Sequence, residues 1–159
     1  MNIEQQIQVL VDESPDPTTA MAVQAVAPLL TELAQQLRHI EYYILQNLDQ
    51  RWMTTTLGHQ ETPAQQKRVV YAYPSLPAAT LAAAKLGTNL DPDLSAAPYP
   101  VTHLLFQLLS LKQVDSFIFL EESGKQGQEI RRQDLAAALK TQLKKLMKPD
   151  IPSDEGQTG

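Results

Sequence analysis

Apolar positions recur along this chain with two different periods, and the changes of period mark its elements. Ile3, Ile7, Leu10 and Val11 fall at helical spacing, which predicts a short amphipathic helix near the N-terminus. Asp12 to Pro17 breaks the pattern, because its two prolines fix φ and remove donors. Asp16 followed by Pro17 reads as a cap and first position for the next helix. Beyond it Val26, Leu30, Leu33, Leu37, Ile40 and Ile44 alternate gaps of four and three, which puts them on one stripe, widened by Leu29, Tyr43, Leu45, Leu48 and Trp52. This predicts a long helix over about 17–50, kinked or restarted near Pro28, whose ring deletes a backbone bond.

The period then shortens. Trp52 to Leu57 and Lys67 to Tyr73 are rich in β-branched and aromatic residues, and the loop through Gly58 and Pro63 makes them a hairpin. Ser75 is placed to cap a helix that runs from Leu76 to Leu86 and stops at Gly87. Thr88 to Pro100, with Pro92, Pro98 and Pro100, is expected to be a loop. A leucine-rich helix follows from Val101 to about Lys112. Phe117 to Leu120 and Gln128 to Arg132 form a second hairpin across the turn Glu122 to Gly127. The last helix covers about 133–147, with Leu135, Leu139, Leu143 and Leu146 as its buried stripe and Pro149 as its stop.

Helix, strand, strand, helix is thus spelled twice, over 28–86 and 100–147, which suggests an αββα pseudo-repeat. The expected fold class is α+β. A small antiparallel sheet, four-stranded if the two hairpins join, packs with helices and is led by the long kinked N-terminal helix. A single domain is expected over 1–148, with 1–16 a short helix and Pro-rich loop, and 149–159 a disordered polar tail.

Composition narrows the picture. With 159 residues and 43% hydrophobic, the chain can bury a core without staples. The absence of cysteine excludes disulfides, a thiol nucleophile, an iron–sulfur cluster and any Cys-based zinc site. The most apolar helical stretch, Val101 to Leu111, is interrupted by His103 and Gln107 and falls short of the roughly 20 residues of a membrane span. Met1-Asn2-Ile3-Glu4 shows neither the basic start nor the apolar run of a secretory leader, so the expected location is the cytoplasm.

Candidate chemistry is sparse. His39, His59 and His103 have no metal-ligand spacing and read as surface or rim residues. The acidic pairs Asp91/Asp93 and Glu121/Glu122 lie in a loop and a hairpin, and neighbours on a strand point to opposite faces. Gly124-Lys125-Gln126-Gly127 sits between strands with no helix behind it to hold an anion, so it reads as a turn. No nucleophile elbow, dinucleotide fingerprint or P-loop is present. Leu105-Phe106-Gln107-Leu108-Leu109 matches Leu-x-x-Leu-Leu, but in so apolar a helix it reads as core. Tyr71 and Tyr73 share a strand face, where core packing competes with base stacking. No catalytic, cofactor-binding or metal-binding residue is assigned, no cofactor is implied, and the chain is read as a non-enzyme.

Charge carries the remaining signal. Up to Leu37 the chain holds Glu4, Asp12, Glu13, Asp16 and Glu32 and no Lys or Arg. The last helix carries Lys140, Lys144, Lys145 and Lys148, with Lys125, Arg131 and Arg132 upstream. Lysines late and Asp134 early suit the helix macrodipole, which is the plainer explanation. The functional explanation is an interaction surface made of Arg131, Arg132, Lys140, Lys144, Lys145 and Lys148. A net charge of −5 weighs against dedicated nucleic-acid binding. The leading expectation is therefore a protein–protein interaction module, a regulatory or assembly factor with homodimerisation as one form. The alternatives are a nucleic-acid-binding protein using the basic C-terminal helix, and a small-molecule sensor or enzyme with a pocket near His103, Tyr99 and the Asp91–Pro100 loop.

Overall fold

Local signals set most of the helix ends. Asn2 and Gln5 exchange bonds in a capping box that starts α1 (Ile3–Asp12). The Asp16 carboxylate accepts from Thr19 N at 2.7 Å and Pro17 takes the first position of α2 (Pro17–Gln36). The structure, a computed structural model, describes residues 2–58, 66–87, 93–121 and 127–147. The chain continues through β1 (Glu41–Gln46), β2 (Thr55–Leu57), β3 (Lys67–Tyr73), α3 (Leu76–Gly87), β4 (Ser95–Pro100), α4 (Val101–Leu108), β5 (Ser116–Phe119), β6 (Gln128–Arg131) and α5 (Arg132–Met147). The class is α+β, and the described strands form one mixed six-stranded sheet.

The long helix expected over 17–50 is shorter than its stripe implied. It passes Pro28 unbroken and ends at Gln36, where Leu37 turns extended (φ −92°, ψ 150°). Residues spaced by four also share a strand face, so Ile40 and Ile44 fit either period. The Tyr42-Tyr43-Ile44-Leu45 run, flanked by β3 on one side and β4 on the other, resolves as strand. Asn47 ends that strand: its side-chain oxygen accepts from Asp49 N and Arg51 N, and Gln50 adopts a left-handed φ of 62°.

Both expected hairpins are present, as β2–β3 and β5–β6. They join into one sheet, but through a parallel β3–β5 pair, so the sheet is larger than four strands and not wholly antiparallel. The order runs β4-β1-β3-β5-β6, with β2 sharing the β1 edge of β3. The second half reads helix, strand, strand, helix as expected, while the first half carries β1 in addition.

Ser95–Pro100, expected to be loop, is the edge strand β4. Its prolines are tolerated for a geometric reason. Val101 N donates to Ile40 O at 2.9 Å, which fixes the alternation of the antiparallel ladder. Residues 95, 97 and 99 then bond β1, and the nitrogens of Pro98 and Pro100 point away from the sheet, where no donor is required.

The core lies on one face. Tyr42, Ile44, Val70, Ala72, Phe117, Phe119 and Ile130 meet Val26, Leu30 and Ala34 of α2, Leu104, Leu105 and Leu108 of α4, and Leu135 of α5. The opposite face carries Tyr43, Leu45, Val69, Tyr71, Tyr73 and Ile118, and α3 covers its β1–β4 half. Buried Gln6 crosses the helical layer: its Nε2 donates to Ile40 O at 2.8 Å, and its Oε1 accepts from Thr102 Oγ1 and Thr102 N. It thus serves the start of α4, whose cap residue Pro100 has no side-chain bond to offer.

Candidate interaction surface

Of the basic residues singled out in the sequence, Arg131 and Arg132 stand where β6 runs into α5. Gly127, just ahead of β6, lies against the end of β5; a Cβ there would stand 2.3 Å from the Phe119 carbonyl oxygen. Ile130 faces the core opposite Phe117, so Glu129 and Arg131 face the other side of the sheet. Lys67 Nζ donates to Glu129 Oε2 at 2.7 Å, and the buried Ser116 hydroxyl donates to the same oxygen at 2.7 Å. Asp115 closes the neighbouring corner, accepting from Arg68 N through its carboxylate and from Arg132 N through its carbonyl. These groups, with Gln66, Arg131 and Gln133, line an open polar cleft of about 370 Å³.

The hydrogen bonds from Lys67 and then Ser116 hold the Glu129 carboxyl below the ordinary glutamate range, so it serves poorly as a base near neutrality. Depression below the ordinary 4.5 means that its stabilisation is fully present above that value and fades as pH falls through the lower folded one. Glu129→Gln is accordingly expected to shallow the loss of stability on acidification. Urea midpoints at neutral and acidic pH read this, and an unaltered acid slope would contradict it.

The six predicted residues do not share one setting. Arg131 is exposed at the cleft, on the face opposite α5. Arg132 is tied down, its Nε donating to Val114 O at 3.2 Å. Lys140, Lys144 and Lys145 are exposed along α5, and Lys148 lies outside the described residues. Sequence reading missed what surrounds the lysines. Gln133, Ala136, Ala137, Lys140 and Leu143 share a second stripe of α5 and, with Leu139, line a shallow apolar groove of about 350 Å³. Its signal was present, since spacings of three and four place these residues together. Leu135 and Leu139 face the core as expected, Leu143 is half-buried, and the Leu146 side chain lies outside the described residues.

His103 Nε2 lies 3.0 Å from Gln6 O, and His39 packs edge-on against Tyr42. The Tyr99 hydroxyl donates to Gln46 Oε1 while its ring meets Trp52. Burial raises the Tyr73 hydroxyl pKa, with Tyr71 beside it. Glu121 pairs with Arg38 at 3.3 Å. Leu105 and Leu108 are fully buried and cannot dock a partner groove. His59, Asp91, Glu122 and most of the Gly124–Gly127 turn lie outside the described residues.

No protein-family model matches the sequence, and a search of curated proteins finds no match to it. Among the described residues no helix is long and apolar enough to cross a membrane.

Proposed function

We propose that this chain is a non-enzymatic protein-interaction module, a regulatory or assembly factor of the cytoplasm, and that β6 and α5 form its docking face. The observation that supports this reading is the outer stripe of α5. Leu135 and Leu139 already spend the inner stripe on the core, yet Ala136, Ala137 and Leu143 make a second apolar line beside exposed Lys140 and Lys144. Small side chains let a partner backbone approach closely, while lysine stems and ammonium heads form a polar rim. A nucleic-acid reading asks for the cations on one surface; Arg131 faces away from the α5 lysines and Arg132 is held by Val114.

Ala137→Arg tests the reading, because it adds bulk and charge to an exposed helical position without touching the core. Capture from native lysate after nuclease treatment is expected to retain a protein partner on the wild-type chain and lose it on the variant, with circular dichroism unchanged. A catch that disappears with nuclease would favour a nucleic acid instead.

A further inference from the structure

We infer that the partner on this face is a second copy of this chain, joined by antiparallel pairing of β6 with β6 about a two-fold axis through Ile130. This rests on the interaction-module reading and specifies its partner. The two ends of the sheet differ. Along β4 the outward positions include Pro98 and Pro100, which cannot donate, so that edge is blunted. Among the described residues β6 is the opposite edge and contains no proline. Arg132 N donates to Asp115 O at 2.8 Å, which sets the alternation of the β5–β6 ladder. Gln128 and Ile130 then bond β5, and the backbone groups of Glu129 and Arg131 point outward.

Phase and charge together select one register. Centred on Glu129, the pairing would oppose two carboxylates; centred on Arg131, two guanidiniums; like charges directly opposite are destabilising. Centred on Ile130, Glu129 stands opposite the partner subunit's Arg131 and Arg131 opposite the partner subunit's Glu129. Both belong to the outward-facing set, so each pair can exchange backbone bonds in both directions. Glu129 Oε2 already receives Lys67 and Ser116, and its second oxygen is assigned to the partner's Arg131. On the core face Ile130 meets the partner's Ile130. Because α5 follows β6 without an intervening residue, the two α5 helices then run antiparallel on the same side. The lysine-rich end of each helix lies toward the Asp134 end of the other, as the macrodipoles favour.

The chain lacks cysteine, so single thiols report the register. Across the two-fold the Ile130 pair is of the non-hydrogen-bonded kind, with α-carbons about 4.5 Å apart, within disulfide reach. Ile130→Cys is expected to oxidise to a covalent dimer, while Glu129→Cys and Arg131→Cys do not. Arg131→Glu, which opposes like charges twice, is expected to weaken the dimer about tenfold or more by sedimentation velocity. Cross-linking through 129 or 131 instead would overturn the register. A wild-type chain that stays monomeric at every concentration, with no cross-link at any position, would overturn the second copy. If Ala137→Arg then still releases a different protein, the interaction-module reading survives; if it releases none, both fall.

Discussion

Replacing Gln6 by leucine is expected to cost the fold about 3 kcal/mol, because buried polar groups left without partners are penalised more than a hydrogen bond is worth. Gln6 is 2% exposed, and its amide serves the Ile40 carbonyl just ahead of β1 and the N–H and hydroxyl of Thr102 in α4. Leucine fills the space but leaves Thr102 N and Thr102 Oγ1 without that acceptor. Ile40 O keeps only the bond from Val101 N. The amide N–H of Thr102 is among the orphan donors of a helix start, and no side chain of the preceding residues caps it. For a chain of this size the loss corresponds to a melting temperature lower by roughly 10 °C. Adding Thr102→Val removes one stranded hydroxyl and is expected to recover about 1 kcal/mol. A Gln6→Leu protein as stable as wild type would mean that the α1–α4 junction is held by apolar contact alone.

Gly127→Ala carries a comparable expected loss, about 3 kcal/mol, by a steric route. The new methyl would lie 2.3 Å from Phe119 O, 2.8 Å from Phe119 C and 3.0 Å from Leu120 Cα. All three are backbone atoms at the end of β5 and the residue after it, so no side chain can swing away. The strain has to open the Phe119–Gln128 end of the hairpin, which also displaces the edge proposed to pair across the two-fold. The urea midpoint is expected to fall with the slope unchanged. A variant with a wild-type midpoint would show that the strand ends separate freely.

The sequence was most legible where local chemistry decides. Asp16 and Ser75 announce their helices through caps, and the hairpins follow from runs of β-formers. It was least legible where a tertiary partner decides. Tyr42 to Leu45 can lie on a helix or a strand, and only β3 and β4 on either side choose between them. Pro98 and Pro100 read as loop until the phase of the edge ladder shows that their missing donors face outward. The parallel β3–β5 contact leaves no local mark at all. At the candidate surface the lysines stood out by charge, whereas Ala136 and Ala137 carry none, and Glu129 gained meaning only through Lys67 and Ser116, distant in sequence.

Amide hydrogen exchange at β6, followed residue by residue as protein concentration rises, tests the central claim most directly. The account predicts that Glu129 and Arg131 amides, which face outward in one copy, become protected as the second copy pairs with them. The outward Ala96 amide on the proline-blunted β4 edge is predicted to stay unprotected. Fast exchange of Glu129 and Arg131 at every concentration would contradict pairing through this edge.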